Sequence, residues 1–327
     1  MPDSGDLSFD LQQLLSDVDI WRARTLISAV ELDIFSILED GGNDVDAVST
    51  RAGTEREATH RLLRALSELG YLKSDGAEFR NTPVTATFLA KNSSYYLGSW
   101  LNLQAMDWPA WGQLSNVIRG GDQPITGSIF HDPARLRVLL NAAHERARIF
   151  HLAPLLAVID LTGVKTLIDI GGGVGTYSLG LCEAYPELRC MVFDLPAAIE
   201  IARELTSPFR CERLQMRAGD FLHDELGGPF DAALLSNVLH GENPGNAEKL
   251  LIKIKKALRP GGILIIRDSF LDENGINNIG GAVFGLTLMV ETPEGRTYRR
   301  TEVDRMLRTA GFSGIEFKSE MLAVACA

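Results

Sequence analysis

The chain has 327 residues, of which 45% are hydrophobic and 23% are charged, a composition typical of a globular protein large enough for two domains. Its formal net charge of −11 argues against a basic binding face, so we expect neither nucleic acid nor an anionic membrane as a partner. The sequence shows no signal-peptide pattern and no apolar stretch long enough to span a bilayer, which predicts a cytoplasmic protein.

The first hundred residues are predicted to be mostly helical. Apolar residues recur at helical spacing over residues 9–39. Thr54, followed three residues later by Glu57, is typical of a capping box at the start of a further helix. After this helix, Asp75 and Gly76 lie between two short strand-like segments and predict a β-hairpin.

Two helices followed by a hairpin are the pattern of a winged-helix domain, a fold that often binds DNA. Residues 1–95, however, hold 16 acidic against 9 basic side chains. Phosphate contacts dominate the affinity of DNA-binding domains, and this segment lacks the positive charge for them. We therefore expect the segment to be a dimerisation module, and the protein to be a homodimer.

From residue 165 onward, strand-like and helix-like segments alternate, which is typical of a parallel α/β sheet. The segment before them, residues 96–160, is again helical in pattern. The predicted strands are 165–170, 189–194, 212–218, 230–236 and 261–268, and the predicted helices are 175–185, 196–205 and 245–258. A helix near 301–310 is followed by two closely spaced strands, 314–319 and 321–326, which predict an antiparallel hairpin at the edge of the sheet.

The first of these strands runs directly into a glycine-rich turn and a helix, the context that a nucleotide-binding loop needs. Asp169 lies inside the strand, and Gly171, Gly173 and Tyr177 give the spacing G-x-G-x-x-x-Y. The third glycine of a dinucleotide-binding loop is therefore missing. The loop is better suited to a ligand without a pyrophosphate.

Three further polar positions follow later strands. Asp194 ends the second strand, where a carboxylate can accept hydrogen bonds from both hydroxyls of a ribose. Asp220 and Phe221 follow the third strand and offer an acidic group and an aromatic face to an adenine. His240 follows the fourth strand at its carboxyl end, the edge where open α/β sheets bind ligands.

At these residues the chain resembles the class I S-adenosylmethionine-dependent methyltransferases. More narrowly, it is similar to the small-molecule O-methyltransferases that include plant caffeate, hydroxyindole and bacterial natural-product enzymes. The resemblance rests on the D-x-G-G-G-x-G loop, Asp194, Gly219-Asp220, Leu239-His240 and the Arg-Pro-Gly-Gly turn that ends at Gly262. It implies an α/β fold, with a Rossmann-like seven-stranded sheet domain preceded by an all-helical winged-helix dimerisation domain.

The resemblance also assigns S-adenosylmethionine as the cofactor and gives each segment a role. Residues 1–100 would form the dimerisation domain, residues 101–160 a helical connector lining the substrate site, and residues 161–327 the catalytic domain. The implied cofactor-binding residues are Asp169, Gly171, Gly173, Asp194, Asp220, Phe221 and Ser236. Ser236 stands where plant relatives carry a lysine on the adenine side. No metal is implied.

His240 is the implied general base. The pKa of a phenol is about 10, so methyl transfer benefits from a group that removes the proton, and histidine suits this task near neutral pH. The family usually reads Leu-His-Asp-Trp here, whereas this chain reads Leu-His-Gly-Glu-Asn. We therefore expect Glu242 or Glu291 to supply the carboxylate that supports His240. If neither does, the enzyme would work on carbon, on nitrogen, on an ionised oxygen or mainly by positioning.

The acceptor site is expected after residue 269. Apolar residues around 280–290 would line it, namely Phe284, Leu288 and Met289, with His144 at its border. The predicted reaction is O-methylation of an aromatic or polyketide-like small molecule. The alternatives are C- or N-methylation, a non-methylating reaction on the same fold, and a winged-helix regulator that senses a metabolite. The sequence does not identify the acceptor.

Overall fold

The computed structural model describes residues 14, 16–39, 44–122, 124, 132–206, 211–274, 279–292 and 294–327. The chain divides into two compact units, Met1–Met106 and Asp107–Ala327. The three segments predicted from the sequence stay a prediction, because compactness alone does not show which segment holds a substrate. Within the described ranges, no helix is both long enough and apolar enough to cross a membrane.

The first unit is helical with one short hairpin. Its helices are α1 (Ile20–Glu31), α2 (Ile34–Glu39), α3 (Val45–Ala52), α4 (Arg56–Glu68) and α5 (Pro83–Phe88), and β1 (Leu72–Ser74) pairs antiparallel with β2 (Phe79–Asn81). Asp75 begins the predicted turn, since its carboxylate accepts hydrogen bonds from the backbone N–H groups of Ala77 and Glu78. Gly76 supplies the positive φ of +98° that the turn requires. The hairpin is therefore confirmed, while the winged-helix interpretation of the unit stays a prediction.

The predicted capping box at Thr54 is wrong. Glu55 is the N-cap of α4, and its carboxylate accepts hydrogen bonds from the N–H groups of Glu57 and Ala58 at 2.9 and 2.6 Å. The Thr54 hydroxyl is instead shared with the Thr59 hydroxyl at 2.6 Å. The glutamate side chain is long enough to fold back over the first helical turn, which leaves the preceding threonine free for a different bond.

The second unit is an α/β domain preceded by helices. In chain order its elements are α6 (Gly98–Trp111, which begins in the first unit), α7 (Leu114–Ile118), α8 (Pro133–Arg146), a π-helical turn (Ala147–His151), α9 (Leu152–Val158), β3 (Thr166–Ile170), α10 (Thr176–Ala184), β4 (Arg189–Asp194), α11 (Pro196–Thr206), β5 (Leu214–Ala218), β6 (Phe230–Ser236), a 3-10 turn (Leu239–Gly241), α12 (Pro244–Ala257), β7 (Leu258–Arg267), β8 (Phe270–Leu271), α13 (Ile279–Glu291), β9 (Tyr298–Arg299), α14 (Arg300–Thr309), β10 (Ser313–Ser319) and β11 (Leu322–Cys326).

Seven of these strands form one sheet in the order β10-β11-β7-β6-β3-β4-β5. Strands β7, β6, β3, β4 and β5 are parallel, whereas β11 runs antiparallel to both β7 and β10. The Rossmann-like seven-stranded sheet and its antiparallel edge hairpin are therefore confirmed. The small parallel pair of β8 and β9 was not predicted.

At strand β3, both faces of the sheet are covered by apolar side chains. Leu167 packs into the core on one face, and Ile168 and Ile170 pack into the core on the other. Each fully buried side chain of this size contributes about 1.5–3 kcal/mol. Since β3, β4, β6 and β7 run in the same direction, their carboxyl ends meet at one edge of the sheet, where polar side chains from separate parts of the sequence converge.

Candidate active site

The glycine loop after β3 needs glycine for two reasons. Gly171 and Gly173 have φ values of +65° and +55°, in the left-handed region that other residues rarely adopt. A Cβ atom on Gly171 would also lie 2.5 Å from a methyl group of Val238. The backbone N–H of Gly171 donates to the carbonyl of Phe193 at 2.8 Å and fixes the loop against β4.

Asp169 is fully buried beneath this loop. Its Oδ2 accepts a hydrogen bond from the Ser178 hydroxyl at 2.7 Å, and its Oδ1 has no partner within the part of the chain that the structure describes. Burial and the negative charge of Asp194 raise the pKa of Asp169 to about 7, although the hydrogen bond from Ser178 opposes the shift. A buried oxygen without a partner costs about 1–3 kcal/mol, so a ligand that donates a hydrogen bond here would offset that cost.

The carboxylate of Asp194, at the end of β4, accepts hydrogen bonds from two backbone segments. Its Oδ2 accepts from the N–H of Gly173 at 2.8 Å, and its Oδ1 accepts from the N–H of Leu195 at 2.7 Å. Burial raises the pKa of Asp194, whereas these two hydrogen bonds lower it. The carboxylate therefore holds the glycine loop next to the end of the second parallel strand.

Asp220 and Phe221 lie in the turn that follows β5. The N–H of Leu222 donates to Asp220 Oδ1 at 2.8 Å, and Lys253 donates to the backbone carbonyl of Phe221 at 2.7 Å. The Phe221 ring packs partly against the sheet core. Ser236, at the end of β6, is buried beside the hydroxyl of Tyr177.

The charge of this cleft indicates what kind of ligand fits it. Neither Asp169 nor Asp194 forms an ion pair with any residue in the described ranges. In their ionised forms the two carboxylates would repel a pyrophosphate and attract a cationic group. The left-handed glycines, the unpartnered Asp169 oxygen and two carboxyl groups without a basic partner among the described residues therefore fit a cationic nucleoside better than a dinucleotide.

A second polar group lies at the ends of β6 and β7. His240 is in the 3-10 turn after β6, and Asp268 directly follows β7. The two strands are paired up to Ser236 and Arg267, which brings the following residues together. Asp268 Oδ1 lies 2.7 Å from the ring Nδ1 of His240, and Asp268 Oδ2 accepts from the backbone N–H of His240 at 3.1 Å.

This hydrogen bond determines which ring nitrogen of His240 carries the proton. A carboxylate only accepts hydrogen bonds, so Nδ1 donates to Asp268 and Nε2 keeps its lone pair. Asp268 Oδ1 also accepts from the N–H of Ser269 at 2.7 Å, which fixes the carboxylate. The side chain of His240 is 15% exposed, and that of Asp268 only 3%. The imidazole is thus held in the form that can accept a proton.

Asp268 was not among the predicted residues, because residues 261–268 were interpreted as strand throughout. The signal available was an acidic residue at the carboxyl end of a strand parallel to β6. The two predicted glutamates have other partners: the Glu242 carboxylate accepts from the Asn246 amide at 3.1 Å, and the Glu291 carboxyl bonds to Asp107. A catalytic role for Glu242 or Glu291 stays a prediction.

The predicted acceptor-site residues lie in different surroundings. The Phe284 ring packs edge-on against the His240 ring, with centroids 4.8 Å apart. Leu288, one helical turn later, is buried, and Met289 is 38% exposed. His144 bonds through Nδ1 to the Thr176 hydroxyl at 2.7 Å, at the start of α10. Contact of these four residues with an acceptor stays a prediction.

His144 contributes to the support of the glycine loop. It lies one turn after Leu140 on α8, and a methyl group of Leu140 lies 3.2 Å from where a Cβ of Gly173 would stand. Burial, together with the charge of Arg148, lowers the pKa of His144 to about 4. The imidazole is therefore neutral at pH 7 and holds the start of α10 by a hydrogen bond.

Comparison with known proteins agrees with this geometry. A family model for the O-methyltransferase domain matches residues 123–313, and one for the O-methyltransferase dimerisation domain matches residues 18–91. The first match covers more than half of the chain, which shows the class of the protein: an α/β methyltransferase. The chain belongs to the O-methyltransferase family.

Individual relatives are similar over most of their length. The chain is 30% identical to the tetracenomycin polyketide synthesis 8-O-methyltransferase of Streptomyces glaucescens, covering 90% of this chain and 89% of that protein. It is 32% identical to an N,N-dimethyltransferase of Streptomyces rimosus, covering 77% of this chain and 76% of that protein. The crystal structure of human N-acetylserotonin methyltransferase in complex with SAM has a TM-score of 0.88 at 25% identity, covering 100% of this chain and 99% of that one.

These findings confirm four predictions: the family, the Rossmann-like fold, the enzyme class and the cofactor. The chain is an S-adenosylmethionine-dependent methyltransferase. The roles of single residues, the acceptor, the oligomeric state and the location in the cell stay predictions.

We expect the variant Gly171→Ala to destabilise the protein more than Gly163→Ala. Gly163 also has a positive φ, +82°, but no atom lies within 4 Å of its added Cβ, so its variant measures the backbone cost alone, about 1–2 kcal/mol. Gly171→Ala adds the clash with Val238, about 1–3 kcal/mol more. Urea unfolding of both variants measures the difference. Equal losses would show that the contact with Val238 relaxes without cost.

Proposed function

We propose that the protein transfers the methyl group of S-adenosylmethionine to a hydroxyl oxygen of an aromatic or polyketide-like small molecule, with His240 as the general base. The observation that carries this proposal is the hydrogen bond between His240 and Asp268, which leaves Nε2 able to accept a proton. It lies at the same edge of the sheet as the glycine loop.

The chain's own residues suit the cofactor. Gly171 and Gly173 would let the backbone approach its methionine half, with the unpartnered oxygen of Asp169 nearby as a hydrogen-bond acceptor. Asp194 would bind the ribose. In addition, Asp220 and Phe221 would bind the adenine, and Ser236 would border it. When bound, S-adenosylmethionine supplies an electrophilic methyl group on a sulfonium.

His240 acts on the acceptor. Its Nε2 takes the hydroxyl proton as the acceptor oxygen attacks, so that the negative charge on that oxygen is not formed in advance. Asp268 holds the ring in the required orientation and stabilises the positive charge that the ring gains. The Phe284 ring packs against the edge of the imidazole and limits its rotation. General base catalysis of this kind contributes about 10²–10⁴-fold to the rate.

The acceptor class is supported by the relatives. The relative from Streptomyces glaucescens is named for 8-O-methylation in polyketide synthesis, and human N-acetylserotonin methyltransferase acts on an acetylated serotonin. Phe284, Leu288 and Met289 are apolar side chains on α13 that would suit the flat, hydrophobic body of such molecules.

N-methylation is the second candidate, because the relative from Streptomyces rimosus is named as an N,N-dimethyltransferase. Incubation of the protein with labelled S-adenosylmethionine and a panel of hydroxylated and amino-substituted aromatics separates the two candidates. Mass spectrometry of the products locates the methyl group. Methylation only at nitrogen would overturn O-methylation.

We also propose that the protein is a homodimer. The dimerisation-domain match at residues 18–91 supports this, and apolar side chains around the start of α1 are strongly exposed. Trp21 has 81% of its surface exposed, Val18 59% and Ile20 57%. A surface of this kind is typical of one that a second chain covers.

Substitution of Trp21 by Glu should weaken the dimer, because a charge would be buried without a partner at the interface. Sedimentation velocity is expected to show a shift towards monomer at micromolar concentration. Ile252→Glu changes a partly exposed residue on α12 and serves as the control. An unchanged dimer in Trp21→Glu would place the interface elsewhere.

Calorimetry tests the cofactor assignment. The protein should bind S-adenosylmethionine and S-adenosylhomocysteine and should not bind NAD, since two carboxylates line the loop. Asp194→Asn should weaken binding of both, because an amide cannot accept at both of its ends. The control is Asp160→Asn, a turn residue outside the cleft whose carboxylate bonds to its own loop. Equal affinity in the Asp194 variant and the parent would refute the ribose-binding role.

His240→Ala should lower kcat by about 10²–10⁴-fold and leave the affinity for S-adenosylhomocysteine unchanged, because the base contacts the acceptor only. Asp268→Asn should show a large loss too, since the amide disturbs the tautomer of the ring. His60→Gln, in the first unit, controls for loss of a histidine. Turnover of an O-methylated acceptor is measured by mass spectrometry; undiminished turnover in His240→Ala would exclude it as the base.

A further inference from the structure

Three ionisable side chains meet in the second unit apart from the His240–Asp268 pair. Arg135, on α8, donates from Nη2 to Oδ1 of Asp107 on α6. The side chain of Asp107 is only 4% exposed, and that of Arg135 is 12% exposed. Glu291, the last residue of α13, hydrogen-bonds to the same Asp107 carboxylate. Two acids and one base are therefore in contact in a largely dry environment.

The charges of this cluster assign a proton to Glu291. Two carboxylates in contact do not both ionise readily, and Arg135 pairs with Asp107. Burial, together with the charge of Asp107, raises the pKa of Glu291 to about 8, and Arg135 opposes this only in part. At pH 7 Glu291 therefore donates its O–H to Asp107, and a protonated carboxyl group still has a carbonyl oxygen that can accept a hydrogen bond.

Arg135 offers a hydrogen-bond donor to complement the acceptor oxygen of Glu291. Its Nε–H is buried and has no hydrogen-bond partner in the described ranges. Arg135 and Glu291 bond to the same Asp107 carboxylate, so both side chains border the space beside it. A single hydroxyl group satisfies both, since it donates one hydrogen bond and accepts another.

The position of Glu291 on α13 relates this cluster to the proposed general base, His240. Phe284, Leu288 and Glu291 are spaced i, i+4 and i+7 and therefore share one face of the helix. Phe284 contacts the His240 ring, and seven residues of helix rise about 10 Å. This face of α13 therefore begins with the Phe284 ring beside His240, continues with the apolar side chain of Leu288 and ends with the polar side chain of Glu291.

We propose that Asp107, Arg135 and Glu291 form a subsite that binds a second hydroxyl group of the acceptor, about 10 Å from the hydroxyl that is methylated. This inference rests on the proposed function and narrows the substrate class to extended, fused-ring aromatics that carry hydroxyls at both ends. Glu291 is then a residue that determines specificity, not a partner of His240.

The test measures acceptor binding by calorimetry with S-adenosylhomocysteine present, so it does not depend on turnover. The probes are anthraflavic acid, a three-ring anthraquinone with hydroxyls at opposite ends, and the analogue that lacks one of them. The parent protein should bind anthraflavic acid about 3- to 10-fold more tightly than the analogue, which is the effect of one or two hydrogen bonds. Equal affinity, or no binding of either probe, would overturn the subsite.

Two variants separate recognition from a structural role. Glu291→Gln keeps a carbonyl oxygen and an N–H for Asp107, so it should retain the preference for anthraflavic acid. Glu291→Met keeps the length of the side chain and leaves the Arg135–Asp107 pair intact, and the preference should vanish. A merely structural residue would weaken both probes equally, which contradicts the proposal. Methylation of either probe is scored separately and tests only the proposed function.

Discussion

The parallel pairing of β3, β4, β6 and β7 is the constraint on which the site depends. The carboxyl ends of these strands carry the glycine loop after β3, Asp194 as the last residue of β4, His240 in the turn after β6 and Asp268 directly after β7. The common direction of the strands brings these groups to one edge. The strands themselves are apolar runs buried on both faces, which fixes their register. A rigid sheet therefore positions the glycine loop, Asp194, His240 and Asp268 without direct contact between most of them.

Charge divides this edge into two functional parts. On the side of β3 and β4, Asp169 and Asp194 are buried without an ion-pair partner among the described residues, and a nearby cation would favour their ionised forms. On the side of β6 and β7, the carboxylate of Asp268 bonds to the ring of His240 and leaves the opposite nitrogen able to accept a proton. The donor half and the acceptor half thus use carboxylates for different purposes, one towards a ligand and one towards a side chain.

Helices from outside the sheet complete both halves. Helix α8 supports the glycine loop through Leu140 and His144, and it carries Arg135 near its start. Helix α13 covers His240 with Phe284 and ends at Glu291. Helix α8 therefore contacts both the cofactor loop and the cluster that we assign to the far end of the acceptor. Helix α13 contacts both His240 and the same cluster.

The sequence by itself determined the strands and helices of the sheet domain, the glycine loop and the position of His240. These follow from local patterns: apolar runs of strand length, glycines at a strand end, and motif residues in a fixed order. It named Thr54 as a helix cap where Glu55 acts, because competition between neighbouring side chains depends on their final geometry. Only the tertiary structure decided that Asp268 supports His240 and that Glu291 bonds to Asp107. Both pairs join residues far apart in the chain, and which of several carboxylates reaches a partner depends on strand order and helix packing, not on local spacing.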